Sequence, residues 1–218
     1  MAQFELVIFD LDGTLIDSKL DLAHAVNAAR AHMGLGPLEF ELIYSYVGNG
    51  APVLMRRAMG PEASEADVQR ALDYFLDWYG DHKLDNTCLY PGVREALDRF
   101  RDAGVAMAVL TNKPVRISRA IVAGLGVGGH FFQVYGGNSF TDKKPHPAGV
   151  DKLMEERAMD RAHTLVVGDS GVDVRTARNA GVAVYGVTYG FAPESFEADP
   201  PDMRFESMPA LADHVLRT

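Results

Sequence analysis

Runs rich in apolar residues alternate with amphipathic segments along most of the chain, and this alternation predicts a parallel α/β sheet. Five runs have the length and composition of buried strands. Between them the apolar residues recur at helical spacing, so each strand is followed by a helix. We therefore predict a doubly wound parallel sheet with helices on both faces. The strands are predicted at 4–9, 105–110, 133–135, 165–167 and 182–187.

The segment between the first two predicted strands has a different pattern. Residues 17–86 show helical spacing throughout and no strand pattern. A crossover between parallel strands needs only a dozen or more residues, so this segment is far longer than the connection requires. We predict an all-helical insertion. Its helices are predicted at 18–33, 39–46, 52–59 and 64–82.

Two domains follow from this pattern. We predict an α/β core domain formed by residues 1–16 and 87–218, and a helical cap domain formed by residues 17–86 that lies over the sheet edge. Hinges are predicted near Ile16–Asp17 and Asn86–Leu89.

Composition and charge narrow the classes of function. The 218 residues are 47% hydrophobic and 23% charged, which is ordinary for a soluble globular protein. A formal net charge of -9 argues against nucleic acid or an anionic membrane as partner, since both attract basic surfaces. Cys88 is the only cysteine, which excludes an intrachain disulfide, and we expect it to be buried. Because no leader pattern or membrane-length apolar run is present, we predict a cytoplasmic protein.

Two carboxylates stand where the first predicted strand ends. Asp10 and Asp12 follow that strand, and Gly13 allows a sharp turn. Ligands of open α/β sheets bind outside the carboxyl ends of the strands, so both side chains should face a cleft. Close carboxylates repel, and a cation with a preference for oxygen ligands, such as Mg²⁺, would offset that repulsion. Asp10 could then act as a nucleophile and Asp12 as acid and base.

Polar residues also follow the later strands. Thr111 and Asn112 follow the second strand, Lys144 lies in the loop after the third, and Asp169 and Asp173 follow the fourth. Singly, each could be an ordinary helix cap or a solvated loop residue. Together they supply oxygen ligands, a hydroxyl group and a cation, which is what phosphoryl transfer requires.

These motifs, in this order, resemble those of the haloacid dehalogenase superfamily of phosphatases. Its DxDG motif, followed by Thr or Val, matches residues 10–14, and its GDxxxD motif matches residues 168–173. Its hydroxyl residue after the second strand matches Thr111, and its lysine matches Lys144. The runs DLDGTLIDS, YPG, TNKP and GDS resemble the phosphoglycolate phosphatase branch more closely. The resemblance covers nearly the whole chain and implies a Rossmann-like core with a helical cap.

The resemblance implies a role for each matched carboxylate. Asp10 would attack phosphorus and form an aspartyl-phosphate. Asp12 would protonate the leaving alkoxide and then deprotonate the water that hydrolyses the intermediate, and Thr14 would orient Asp12. Mg²⁺ would be held by the Asp10 side chain, the Asp12 backbone carbonyl and Asp169, with Asp173 as a direct or an indirect ligand.

The resemblance also implies how substrate would be held. Thr111 and Lys144 would bind phosphate oxygens, helped by the backbone of Asn112. The cap would close over a small phosphorylated metabolite and exclude bulk water. Three cap residues are candidates for contacts to the substrate: Asn49, Lys19 and Arg56.

Several alternatives remain open at this point. Phosphoglycolate is the first choice of substrate, and a sugar phosphate, pyrophosphate or a phosphomutase reaction are the others. A receiver-type phospho-switch uses similar groups but has no helical insertion, and a haloacid dehalogenase uses the nucleophilic Asp without a metal. A glycine-rich run at 124–129 matches GxGxxG, but it follows a predicted helix rather than a strand, so we interpret it as a helix end. The sequence leaves the oligomeric state open.

Overall fold

A computed structural model describes residues 4–217 and confirms the doubly wound α/β fold. Within these residues eight strands are present: β1 (Leu6–Phe9), β2 (Ile16–Asp17), β3 (Cys88–Leu89), β4 (Ala106–Leu110), β5 (Gln133–Tyr135), β6 (Thr164–Gly168), β7 (Ala183–Val187) and β8 (Met203–Phe205). Six of these form one parallel sheet in the order β5-β4-β1-β6-β7-β8.

Helices cover both faces of this sheet. The α-helices of the described range are α1 (Lys19–His32), α2 (Phe40–Tyr44), α3 (Ala51–Met59), α4 (Glu65–His82), α5 (Val93–Asp102), α6 (Val115–Gly124), α7 (Ala148–Arg157), α8 (Gly171–Ala180) and α9 (Met208–Arg217). Between residues 4 and 217, no helix combines the length and the apolar character that crossing a membrane demands.

The central strand β1 shows why the sheet is covered on both sides. All four of its residues are buried, with no polar position. Leu6 and Ile8 pack in a cluster with α7 and α8, whereas Val7 and Phe9 pack in a second cluster with α5, α6 and α9. A strand whose side chains alternate between two apolar layers has to be apolar throughout.

The four helices α1 to α4 form the insertion between β2 and β3. Their apolar faces belong to the same buried cluster as Val7 and Phe9, so the insertion packs on one side of the core. Helix α4 begins after Ser64, whose Oγ accepts a hydrogen bond from the backbone N of Asp67 at 3.1 Å. The aromatic residues Phe75 and Tyr79 of α4 are buried.

Three strands were not predicted. The two-residue strands β2 and β3 pair antiparallel at the predicted hinges, and strands this short carry no hydrophobic period. Strand β8 is mostly exposed at the sheet edge, so it lacks the apolar pattern of the central strands. The prediction for Cys88 was wrong: it lies in β3 and is exposed, because this ribbon stands outside the core.

The predicted domain boundaries fall at this β2–β3 ribbon and stay a prediction. The ribbon joins both ends of the insertion, with Asp17 paired to Cys88. Residues 1–3 and 218 of the predicted core domain lie outside the described residues.

The glycine-rich run forms a helix end and a loop, as predicted. Helix α6 ends at Gly124, and Gly126 adopts a φ of +69°. Gly128–His130 is a single 3₁₀ turn. A dinucleotide-binding loop would follow a strand and open a long helix, so the structure removes this alternative.

A buried carboxylate fastens α1 to the segment that leaves the insertion. Asp21 is 1% exposed and accepts hydrogen bonds from the backbone N of Thr87 at 2.8 Å and its Oγ1 at 2.7 Å. It also accepts bonds from the backbone N of Asn86 at 3.0 Å and its Nδ2 at 2.8 Å. Burial would raise the pKa of Asp21, but the hydrogen bonds from Thr87 and Asn86 outweigh it and hold the pKa below its ordinary value.

Replacing Asp21 by Asn is expected to lower the free energy of unfolding by about 2 kcal/mol at neutral pH, because an amide group cannot accept all of these bonds. Since the pKa is lowered in the folded state, the stabilisation by the wild-type carboxylate is present above its ordinary pKa of 3.8 and is lost as the pH falls through the lower folded value. Urea unfolding of the wild type and the variant at neutral and acidic pH measures the loss of stability and its dependence on pH. Asp73→Asn, an exposed change on α4, is the matched control. A deficit of equal size at both pH values would contradict this role of Asp21.

Candidate active site

The carboxyl ends of three adjacent strands bring the predicted residues together. Strand β1 lies between β4 and β6, and Phe9 is in register with both Val109 and Val167. Asp10, which follows β1, is therefore nearly level with the ends of both neighbouring strands. Thr111 follows β4 and Asp169 follows β6 at the same edge. The geometry explains why residues far apart in sequence meet here.

Three carboxylates form a cluster at this edge. Oxygen atoms of Asp10, Asp169 and Asp173 all lie within 4.8 Å of one another. Burial raises the pKa of Asp10 to about 6, with Lys144 opposing and Asp173 adding to the effect. Burial, followed by the charges of Asp173 and Asp10, raises the pKa of Asp169 well above its ordinary value. Burial and the mutual repulsion of these carboxylates therefore disfavour their charged forms, and a bound cation would relieve that effect.

The donor set of this cluster fits a hard divalent cation. The Oδ1 atom of Asp10 is buried and accepts no hydrogen bond of ordinary geometry, although an ammonium group lies nearby. The ligand atoms of the cluster are all carboxylate oxygens, which Mg²⁺ and similar ions prefer. Asp10, Asp169 and Asp173 could thus hold a divalent metal.

Lys144 lies between two of these carboxylates. Its Nζ atom is 2.8 Å from Oδ1 of Asp10 and 2.6 Å from Oδ1 of Asp173. Burial would lower the pKa of Lys144, but Asp10 and Asp173 raise it well above its ordinary value, so the amine is charged. Asp173 is fixed at the start of α8, where its Oδ2 accepts bonds from the backbone N and the Oγ of Ser170 at 3.2 and 2.7 Å.

Gly13 and Thr14 bring the turn after β1 against Asp169. Gly13 has a φ of +83°, and a Cβ atom there would lie 2.2 Å from Oδ2 of Asp169. Only glycine fits this position, because the conformation and the space both exclude a side chain. The Thr14 hydroxyl donates to Oδ1 of Asp169 at 3.3 Å. In this structure Thr14 thus orients Asp169, whereas the family resemblance implied a contact to Asp12.

Asp12 has partners that the sequence reasoning missed. Nζ of Lys113 lies 2.9 and 3.1 Å from its two carboxylate oxygens, and the hydroxyl of Ser18 donates to Oδ1. Ser18 directly precedes α1, but its side chain makes no capping bond to that helix and is directed to Asp12. The available signal for Lys113 was its position two residues beyond Thr111 at the end of β4.

Asn112 connects the core to the insertion. Its Nδ2 donates to the backbone oxygen of Gly48 at 3.1 Å and to that of Lys144 at 3.2 Å. Nearby, Nζ of Lys143 donates to the backbone oxygen of Asn49 at 2.6 Å. These bonds hold the loop between α2 and α3 against the loop that carries Lys144. Thr111 and Asn112 both line a cavity at this edge of the sheet.

The three predicted cap contacts do not line the cavity of the active site. Asn49 meets the core through its backbone, and Nζ of Lys19 lies 5.0 Å from the centroid of the Phe191 ring. Arg56 is engaged within the insertion, where it contacts Glu65 and two backbone oxygens. Their role in specificity stays a prediction. The insertion contributes these residues to the cavity instead: Leu22, Val47, Gly48, Gly50, Ala51, Leu54, Phe75 and Tyr79.

Comparison with known proteins gives the family of this chain. The sequence profile of the haloacid dehalogenase-like hydrolase family matches residues 7–187. The chain is 39% identical over 223 residues to a phosphoglycolate phosphatase of Vibrio vulnificus, covering 98% of this chain and 97% of that protein. It is 41% identical over 192 residues to a phosphoglycolate phosphatase of Pseudomonas fluorescens, covering 85% of this chain and 70% of that protein. The crystal structure of a predicted phosphoglycolate phosphatase from Haemophilus somnus has a TM-score of 0.92 at 34% identity, covering 98% of this chain and 99% of that one.

The chain therefore belongs to the haloacid dehalogenase-like hydrolase family. Within that family it is a phosphatase, and its substrate is a small phosphate ester. This assignment decides against the receiver-type switch and against dehalogenation. The acidic cluster and Lys144 line the same cavity at the carboxyl edge of the sheet.

Proposed function

We propose that this phosphatase hydrolyses 2-phosphoglycolate with the help of Mg²⁺, through an aspartyl-phosphate on Asp10. The observation that carries the proposal is the placement of Asp10. It lies beside the buried carboxylates Asp169 and Asp173 and the ammonium of Lys144, in a cavity that residues of the insertion help to line. Lys144, together with a cation that the carboxylates would hold, could there neutralise the charge of an incoming phosphoryl group.

In the first half of the reaction an oxygen of Asp10 forms a bond to phosphorus while the ester bond breaks. Asp12 gives its proton to the departing alkoxide, which leaves as glycolate. Lys144 donates to phosphate oxygens, and Thr111 offers its hydroxyl from the end of β4. Asp10, Asp169 and Asp173 would hold a divalent cation, whose positive charge would offset the charge of the phosphoryl oxygens.

In the second half Asp12 takes a proton from water as that water attacks phosphorus. The bond between phosphorus and Asp10 breaks, which releases inorganic phosphate and restores the free carboxylate. Asp12 is suited to both proton transfers because Ser18 and Lys113 hold its carboxylate in one orientation. It stands outside the three-carboxylate cluster, so the two carboxylates of the DxD motif have separate tasks.

The proposed substrate is supported by the relatives and by the apolar side chains that line the cavity. The curated relatives named above are phosphoglycolate phosphatases that align with most of this chain. The insertion lines the cavity mainly with apolar side chains, such as Leu22, Leu54 and Phe75. Such walls leave little hydrogen-bonding capacity for a large polyhydroxylated leaving group.

Phosphate release from a panel of esters tests this proposal. The panel contains 2-phosphoglycolate, hexose phosphates and pyrophosphate, each assayed with and without Mg²⁺. We expect release to require Mg²⁺ and kcat/KM to be highest for 2-phosphoglycolate by at least about tenfold. A higher kcat/KM for a hexose phosphate would agree with phosphatase activity but would reject 2-phosphoglycolate as the substrate. A long-lived phosphorylated protein that requires a second sugar phosphate for turnover would instead indicate a phosphomutase.

A further inference from the structure

Lys113 is a buried cation that the proposed chemistry does not use directly. Its side chain is 4% exposed, and its Nζ atom touches both carboxylate oxygens of Asp12. It also lies 4.5 Å from the centroid of the Tyr79 ring, which reaches it from α4 of the insertion. Lys113 therefore stands where the core and the insertion meet, beside the proposed acid and base.

Two cations line the cavity among the residues described, and they have different surroundings. Lys144 is held by Asp10 and Asp173 at the phosphoryl end. Lys113 has Asp12 as its carboxylate partner. An ammonium group has three donor hydrogens, so Lys113 can bind a second anionic acceptor without releasing Asp12.

Tyr79 adds a hydroxyl at the same place. Its side chain is 1% exposed and lines the cavity, yet its hydroxyl has no hydrogen-bond partner of ordinary geometry in the described chain. A buried hydroxyl without a partner is costly, and such groups usually meet a ligand or water. A ligand atom that accepts hydrogen bonds could accept one from the Tyr79 hydroxyl and one from the ammonium of Lys113.

We propose that Lys113 and Tyr79 form the subsite for a carboxylate on the leaving group, so that the enzyme selects phosphate esters of short 2-hydroxy acids. The inference rests on the proposed function, which places the ester oxygen beside Asp12. In such a substrate the carboxylate is one carbon beyond the ester oxygen. Because Lys113 touches Asp12, its ammonium lies within reach of a carboxylate at that distance.

Lys113→Met and Tyr79→Phe test the subsite with two substrates of equal size. The first is 2-phosphoglycolate, and the second is its carboxamide, which keeps the shape but lacks the charge. We expect Lys113→Met to lower kcat/KM about 100-fold more for the carboxylate than for the amide, as the loss of a charged hydrogen bond would. Tyr79→Phe should lower kcat/KM roughly tenfold for the carboxylate, mostly through KM.

Two controls distinguish a carboxylate subsite from a purely orienting role of Lys113. Lys152→Met removes an exposed lysine of α7 and should leave the ratio between the two substrates at the wild-type value. If Lys113 only orients Asp12, its replacement will slow both substrates equally and the ratio will not change, which overturns the subsite alone. A wild-type enzyme that does not prefer the carboxylate to the amide overturns the substrate and the subsite together. Tyr79→Phe removes one oxygen atom, so it keeps the test valid if Lys113→Met does not fold.

Discussion

Replacing Asp10 by Asn is expected to abolish phosphate release, lowering kcat by at least about 10,000-fold, because the loss of a nucleophile removes the step itself. The amide has almost the same shape as the carboxylate, but it cannot form the phosphorylated intermediate. Steady-state release of phosphate from 2-phosphoglycolate measures the loss. The wild-type protein, mixed with substrate and quenched in acid, should carry a phosphoryl group that the variant lacks.

The fold should survive this change, which makes the result interpretable. Burial disfavours the charged form of Asp10 and raises its pKa to about 6, so a neutral amide removes an unfavourable charge in the metal-free protein. Without metal, the melting temperature of Asp10→Asn should therefore be no lower than that of the wild type at neutral pH. Activity at the wild-type level in a folded variant would reject Asp10 as the nucleophile.

The parts of the fold that the sequence predicted are those with a strong local pattern. The run Leu6–Phe9 is apolar throughout, which predicts a strand buried on both faces. The insertion repeats its apolar residues at helical spacing, which predicts helices buried on one face. The strands that escaped prediction are short or lie at an edge, where few side chains are buried. Cys88 shows the same limit, since its exposure depends on a two-residue ribbon rather than on its own chemistry.

The candidate site was predictable to the extent that its residues end strands. Asp10, Thr111 and Asp169 each follow a buried strand, and adjacent parallel strands bring such positions together. Lys113 and Tyr79 had no comparable signal. One lies beyond the strand end, the other lies on a helix of the insertion, and their contact depends on how the insertion packs against the core. A contact between the core and the insertion is set by tertiary packing. The periodicity of apolar residues along one segment does not predict it.

Removal of divalent metal is expected to abolish activity reversibly, with a fall of about 1,000-fold or more, since the charge it supplies is worth several kcal/mol. Treatment with EDTA followed by dialysis gives the metal-free protein, and added Mg²⁺ should restore phosphate release. Binding has a readout of its own, because a ligand that binds only the folded state raises the melting temperature. Saturating Mg²⁺ should raise the melting temperature of the wild type by about 5 °C.

Asp169→Asn separates metal binding from general stability. Asp169 accepts a hydrogen bond from the backbone N of Phe191 at 2.6 Å and another from the hydroxyl of Thr14. The single oxygen of an amide group can still accept either one of these two bonds. The variant should therefore fold but lose the rise in melting temperature with Mg²⁺ together with its activity. Asp73→Asn, on the exposed face of α4, should keep both. Full activity in the presence of EDTA, or a thermal response to Mg²⁺ that persists in Asp169→Asn, would contradict the assignment of the metal to the carboxylates at the ends of β1 and β6.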